Sequence, residues 1–226
     1  MKYGLLKTTL LDYPGKVASV LFTGGCNLRC PYCHNPELVH AKEDSNLLSG
    51  EEIGAFLKKR ASVLGGVVIT GGEPLLHGEE IIAMIDKIHS LGLPVKVDTN
   101  GLFPELLPKL KADFIAMDLK TSPSRYGELG CRVEDYVGKL TRSARWIIDS
   151  GVEHQFRTTL SEELITAEDV DAMVPLLRGC KEHRITPFRP GKTLSPDWET
   201  KQPPSGEYVK MIEQLFINNK IPSYTA

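Results

Sequence analysis

Three of the chain's five cysteines, Cys26, Cys30 and Cys33, fall in the run Gly24-Gly25-Cys26-Asn27-Leu28-Arg29-Cys30-Pro31-Tyr32-Cys33-His34-Asn35-Pro36. Their spacing is C-x3-C-x2-C. Zinc sites usually take four ligands, commonly as two C-x2-C pairs, so a compact loop of three thiolates without a nearby fourth cysteine matches zinc poorly. Three thiolates on a cubane iron–sulfur cluster match better, because they leave one iron open to a ligand the protein does not supply. An open iron is a place for chemistry.

Polar groups also follow apolar runs at Thr70-Gly71-Gly72-Glu73-Pro74, Asp98-Thr99-Asn100-Gly101 and Met117-Asp118-Leu119-Lys120. Glycines at 71 and 72 let the backbone approach a ligand closely. Each segment also has a plain reading: a turn at Gly71-Gly72, a turn at Asn100-Gly101, a surface cation at Lys120. Cys131 and Cys180 stand far from the triplet and read as small buried hydrophobes, although Cys180 with His183 has a spacing that zinc could use with outside help. No G-x-S-x-G, H-E-x-x-H or G-x-x-x-x-G-K-[ST] occurs, which removes the usual hydrolase, zincin and P-loop chemistries.

The elements that must position these groups alternate. Apolar, β-branched runs at 17–23, 67–70, 95–99, 114–119, 154–160 and 183–188 read as strands. Between and after them, helical periods cover 49–64, 79–91, about 104–111, 133–150, 167–177 and 206–219. Ser49 with Glu52 is a capping box, and Gly92 with Pro94 stops the second helix. The strand starts lie roughly 33 residues apart, in keeping with βα units of about 30 residues. Eight such units would need more chain than there is. We therefore expect an α/β fold, a partial (βα)6 barrel of the TIM type, with a doubly wound sheet as the alternative. Sites in either collect at the C-terminal ends of strands, where the segments above fall. No repeat or linker marks a second domain. The expectation is one domain over 1–226, with a core from about 12 to 190 and a C-terminal helix at about 206–219. The Pro-rich stretch from Pro187 to Pro204 is expected as an ordered surface loop.

Composition narrows the partners. Of 226 residues, 41% are hydrophobic and 25% charged, as in ordinary folded, soluble proteins. Lys and Arg number 27 against 29 Asp and Glu, a net charge of −2, so no basic field holds nucleic acid or an anionic membrane. The N-terminal stretch lacks a signal peptide's apolar core, and no run approaches a membrane span of about 20 apolar residues. A cytoplasmic location is expected, where thiols stay reduced.

The triplet, with Tyr32 just before its last cysteine, resembles the signature of the radical S-adenosylmethionine (SAM) superfamily. Gly71-Gly72-Glu73 is similar to that superfamily's GGE motif, which contacts the methionine amino group. Asp98-Thr99-Asn100-Gly101 and Asp118-Leu119-Lys120 resemble the DTNG and D-[LI]-K segments of enzymes that activate glycyl radical enzymes. Leu11-Asp12-Tyr13-Pro14-Gly15 resembles their D-x-P-G lead-in, and Cys33-His34-Asn35-Pro36 their C-H-N-P continuation. Together these are most similar to the activating proteins of anaerobic ribonucleoside-triphosphate reductase, over residues 12–120.

The resemblance implies a [4Fe-4S] cluster on Cys26, Cys30 and Cys33, chelated at its fourth iron by SAM. It implies reduction by flavodoxin or ferredoxin and a 5'-deoxyadenosyl radical that takes a hydrogen atom from a glycine of a glycyl radical enzyme. Tyr32, Gly71, Gly72, Glu73, Asn100, Lys120 and Arg157 would bind SAM. Asp98, Thr99 and Asp118 match positions that bind a monovalent cation beside the SAM carboxylate. Arg157 fits a structural ion pair equally well, and Arg189 stands where some activases carry a histidine. Two other readings stay open: a stand-alone radical SAM enzyme acting on a small molecule or modified base, as 7-carboxy-7-deazaguanine synthases do, and a non-catalytic zinc or iron–sulfur module.

Overall fold

A computed structural model describes residues 1–40 and 46–226 of the chain. Among these, nine strands form one sheet: β1 Lys2–Thr9, β2 Ala18–Thr23, β3 Leu48–Ser49, β4 Gly66–Gly71, β5 Val95–Thr99, β6 Phe114–Asp118, β7 Glu153–Leu160, β8 His183–Pro187 and β9 Ser223–Thr225. Their order is β3-β1-β2-β4-β5-β6-β7-β8-β9. β1 runs antiparallel to both β2 and β3; every pairing from β2 to β9 is parallel. The six expected strands are β2 and β4 to β8, within a residue or two, in the expected sequential order. The edge strands β3 and β9 do not pair with each other, so the barrel is partial and open.

The helices are α1 Pro36–Val39, α2 Gly50–Arg60, α3 Gly78–His89, α4 Tyr136–Ser150, α5 Ala167–Leu177 and α6 Gly206–Asn218. α2 begins as its sequence dictates: the Ser49 hydroxyl accepts from the Glu52 N–H, and the Glu52 carboxylate accepts from the Ser49 N–H. The helix expected at 104–111 does not form; only the 3₁₀ turn Leu107–Lys109 does. Pro108 explains the difference, since an interior proline removes a helical N–H and its ring clashes with the carbonyl four residues back. α4 starts later than expected, because Asp135 has φ of 50° and breaks the helical path. The Pro-rich stretch is ordered around the 3₁₀ turn Pro196–Trp198, and Trp198 is buried rather than at the surface.

Strand residues alternate between two environments, as a period of two requires. Val67, Ile69, Val95, Val97, Ile115, Met117 and Phe156 pack against the helices in the main core. Helix residues such as Ile53, Ile85, Ile147 and Phe216 meet them there, fully buried. Each such side chain stabilises the fold by roughly 1.5–3 kcal/mol. The opposite, inner face is apolar at its base, where Tyr13, Ala18, Val20 and Val68 cluster with Phe22 and Phe114. Further up, β5, β6 and β7 turn Asp98, Asp118 and Arg157 inward. Parallel register sets Thr23 beside Gly71, Thr99 beside Met117 and Asp118 beside Arg157, so the candidate segments share one rim.

Candidate active site at the strand ends

The cysteine loop leaves β2 at Thr23 and is held from several sides. The Gly25 N–H donates to the Leu38 carbonyl at 2.7 Å, and the Arg29 N–H donates to the Leu129 carbonyl at 2.7 Å. The Arg29 guanidinium folds back on the carbonyls of Cys26 and Leu28 at 2.6 and 2.8 Å, and His77 Nε2 meets the Gly24 carbonyl at 2.7 Å. On the far side the Ser195 N–H donates to the Pro31 carbonyl at 2.9 Å, and the Trp198 ring stands 5.7 Å from that of Tyr32. Fixed from these sides, the loop turns Cys26, Cys30 and Cys33 into one cleft of about 360 Å³. All three thiols are free. Burial pushes the Cys30 thiol up to about 12 and also raises Cys26; the Lys120 ammonium opposes both shifts.

Across the cleft, β4 ends in the two glycines. Gly71 has φ of +129°, and the Gly72 N–H and Glu73 N–H donate to the carbonyls of Thr23 and Gly25 at 2.9 and 2.8 Å. The close approach is therefore first of all to the cysteine loop. Glu73 is 1% exposed and ties β4 to β5: Oε1 accepts from the Leu75 N–H at 3.0 Å and the Thr99 hydroxyl at 2.9 Å, Oε2 from the Asn100 N–H at 2.7 Å. Burial pushes its carboxyl up to about 7 against those hydrogen bonds. The Asn100 amide in turn donates to Asn27 Oδ1 at 2.7 Å, which links the DTNG segment to the cysteine loop.

Along the inner wall a charge chain runs Lys96–Asp98–Arg157–Asp118–Lys120. Lys96 Nζ meets Asp98 Oδ1 at 2.5 Å, and Arg157 Nη1 meets Asp98 Oδ2 at 2.9 Å. Arg157 also grips Asp118 through Nε at 2.7 Å and Nη2 at 3.1 Å, while Lys120 Nζ meets Asp118 Oδ2 at 3.0 Å. Burial works to raise the Asp118 carboxyl, but Arg157 and then Lys120 outweigh it and hold it well below the usual range. Burial lowers the Lys96 ammonium, and Asp98 opposes that shift. Thr99 is one residue off the inward positions, and its hydroxyl turns to Glu73 instead of to the aspartates.

Every residue singled out from sequence as a cluster, SAM or cation ligand lines this cleft. Arg189 is exposed and does not. Sequence reasoning missed His77, Asn27, Trp198 and Lys96; only Lys96 carried a signal, a lone charge inside the apolar run of β5. The cleft fits a thiolate-bound cluster with a polar cofactor beside it. Asn27 Nδ2, on the cysteine loop, is buried without a hydrogen-bond partner, and such an orphan marks a place where another group belongs. Among the described residues no three His, Cys, Asp or Glu side chains close around a single ion.

Three free thiols, a glycine turn and a charged inner wall thus meet at the strand ends of an open parallel barrel. The sequence matches the model of the Radical SAM superfamily over residues 20–171. The chain belongs to that superfamily, and its cofactors are a [4Fe-4S] cluster and SAM. A candidate glycyl-radical enzyme activating enzyme of Methanocaldococcus jannaschii is 28% identical over 228 residues, 96% of this chain and 93% of that one. The pyruvate formate-lyase-activating enzyme of Clostridium pasteurianum is 32% identical over 118 residues, 49% of this chain and 48% of that one. Among solved structures, Streptococcus suis SuiB bound to precursor peptide SuiA gives a TM-score of 0.68 at 16% identity, over 92% of this chain and 48% of that one, a likeness of fold alone. Among the described residues no helix is long and apolar enough to cross a membrane.

Proposed function

We propose that this radical SAM enzyme installs a glycyl radical on a partner enzyme, such as an anaerobic ribonucleoside-triphosphate reductase, using electrons from flavodoxin or ferredoxin. The observation that carries the reading is similarity to a candidate glycyl-radical enzyme activating enzyme over nearly the full length of both chains. A second feature supports it: Asp12 of the D-x-P-G lead-in lines the cleft that the three cysteines share. When bound, the cluster and SAM supply a 5'-deoxyadenosyl radical, whose target in an activase is a backbone glycine. Cys26, Cys30 and Cys33 hold the cluster. Backbone at Gly71, Gly72 and Glu73 would hold the amino end of SAM, Lys120 and Arg157 would hold its carboxylate, and Tyr32 and Asn100 would complete the pocket wall. Tyr32 packs on the buried Trp198 ring and so fixes the cysteine loop from behind.

The test is anaerobic. Reconstituted, reduced protein with SAM is expected to release 5'-deoxyadenosine, and Cys30→Ala to lose that release. Incubation with glycyl radical enzymes is expected to give a glycyl signal by electron paramagnetic resonance with one of them. Cleavage of SAM with no signal from any candidate would replace the activase reading with action on a small molecule or modified base.

A further inference from the structure

Every carboxylate oxygen of the two inner-wall aspartates already accepts from a cationic side chain. Asp98 Oδ1 is taken by Lys96 and Oδ2 by Arg157; Asp118 Oδ1 is taken by Arg157 and Oδ2 by both Arg157 and Lys120. Three cationic side chains therefore serve two anions, and with all five groups ionised the wall carries a net charge of about +1. Two carboxylates gripped by one guanidinium on a buried wall need neutralising, because like charges repel strongly away from bulk water. An ion from solvent can do that, and so can a tethered ammonium.

Lys96 has the features of such a tethered ion. It is 2% exposed, and Asp98, Asp118 and Arg157 line the cleft while Lys96 does not. It sits one inward position below Asp98 on β5, behind the carboxylate, with its ammonium 6.0 Å from the Phe114 ring on β6. A buried ammonium is costly unless it is paired, and among the described residues its ion pair is with Asp98. A lysine kept there for stability alone would be an expensive choice beside Phe114, its apolar cross-strand neighbour on the inner face.

We infer that Lys96 is a built-in substitute for a monovalent metal cation, a positioning residue that with Arg157 neutralises Asp98, so that the wall receives the SAM carboxylate without sodium or potassium. Arg157 closes the gap between Asp98 and Asp118 where an ion would sit. The excess positive charge is left for the one anionic group of the cofactor. This rests on SAM binding alone, whatever the target of the radical, so failure of the activase reading leaves it standing.

The experiment compares SAM affinity of the anaerobically reconstituted protein, by equilibrium dialysis with labelled SAM, in potassium, sodium and tetramethylammonium chloride at one ionic strength. The native protein is expected to give the same Kd in all three within about twofold, and thallium-205 resonance to show no specific site. Lys96→Met keeps the unbranched stem of the side chain, one atom shorter, and removes its charge. In tetramethylammonium it is expected to bind SAM about tenfold more weakly, with potassium or sodium restoring the affinity and thallium acquiring a SAM-linked site, since coupling between two ligands is reciprocal. Native affinity that falls tenfold without an alkali cation would overturn the inference. So would a loss in Lys96→Met that no alkali cation restores, which would make Lys96 merely structural. Should that variant not fold, the native comparison decides by itself.

Discussion

A Cβ on Gly72 would lie 1.9 Å from the Gly25 carbonyl oxygen, and one on Gly71 2.4 Å from the Thr23 backbone. Both obstacles are backbone, so no rotamer change relieves them. Gly72→Ala must therefore push the strand end and the cysteine loop apart, at a cost of about 1–3 kcal/mol. We expect the variant to fold with a lowered Tm and to take up less iron and sulfide on reconstitution, both measured against native protein; full cluster content would show that the loop tolerates the shift. At this scale the sequence was legible wherever the signal was local. The C-x3-C-x2-C spacing and the glycine pair announce themselves within a few residues. The Asn27–Asn100 hydrogen bond joins positions 73 residues apart, and the Lys96–Arg157 wall exists only through strand register, so neither could be read from neighbours along the chain.

The Ser49–Glu52 box sits where β3 gives way to α2, with hydrogen bonds of 2.8 and 3.2 Å between the two residues. α2 contributes no residue to the cleft. Ser49→Ala should thus cost about 1 kcal/mol of stability, read as a fall of about 2–4 °C in Tm for a chain of this size. SAM affinity should stay unchanged, and a matching loss of affinity would mean that helix and site are coupled. This box was legible because it is a local exchange of hydrogen bonds. The helix expected at 104–111 failed because two prolines in eight residues outweigh an apolar period. Strands β1, β3 and β9 went unread: β1 has three consecutive exposed residues in place of alternation, and β3 and β9 are two and three residues long. Pairing partners, not intrinsic pattern, make them strands.

For the whole molecule, the pitch of the strand runs was enough to fix a six-unit parallel array and its openness, since each unit needs about 30 residues whatever its sequence. How the last strands are held was not visible from pitch. His183 is fully buried where β7, β8, β9 and α6 meet; its Nε2 pairs with the Thr158 hydroxyl and its Nδ1 with the Ser223 hydroxyl, each at 2.9 Å, and its ring lies 4.5 Å from that of Phe216. Burial lowers its pKa from 6.5 to about 3. The unfolded chain thus binds a proton near pH 6.5 that the folded chain refuses until about pH 3, so this histidine's contribution is complete above pH 6.5 and is lost as pH falls toward 3. The slope for one proton is at most about 1.4 kcal/mol per pH unit. Glu73 acts in the opposite sense: its raised pKa favours the fold below 4.5 and loses that contribution as pH rises through about 7. Comparing native protein with His183→Gln cancels Glu73, which both share. The variant should be less stable at pH 7, by about 1–3 kcal/mol for the disturbed hydrogen bonds, yet lose less stability between pH 7 and pH 5. Urea midpoints at the two pH values measure this directly, and parallel losses in the two proteins would mean that His183 is not what makes the closing edge of the sheet acid-labile.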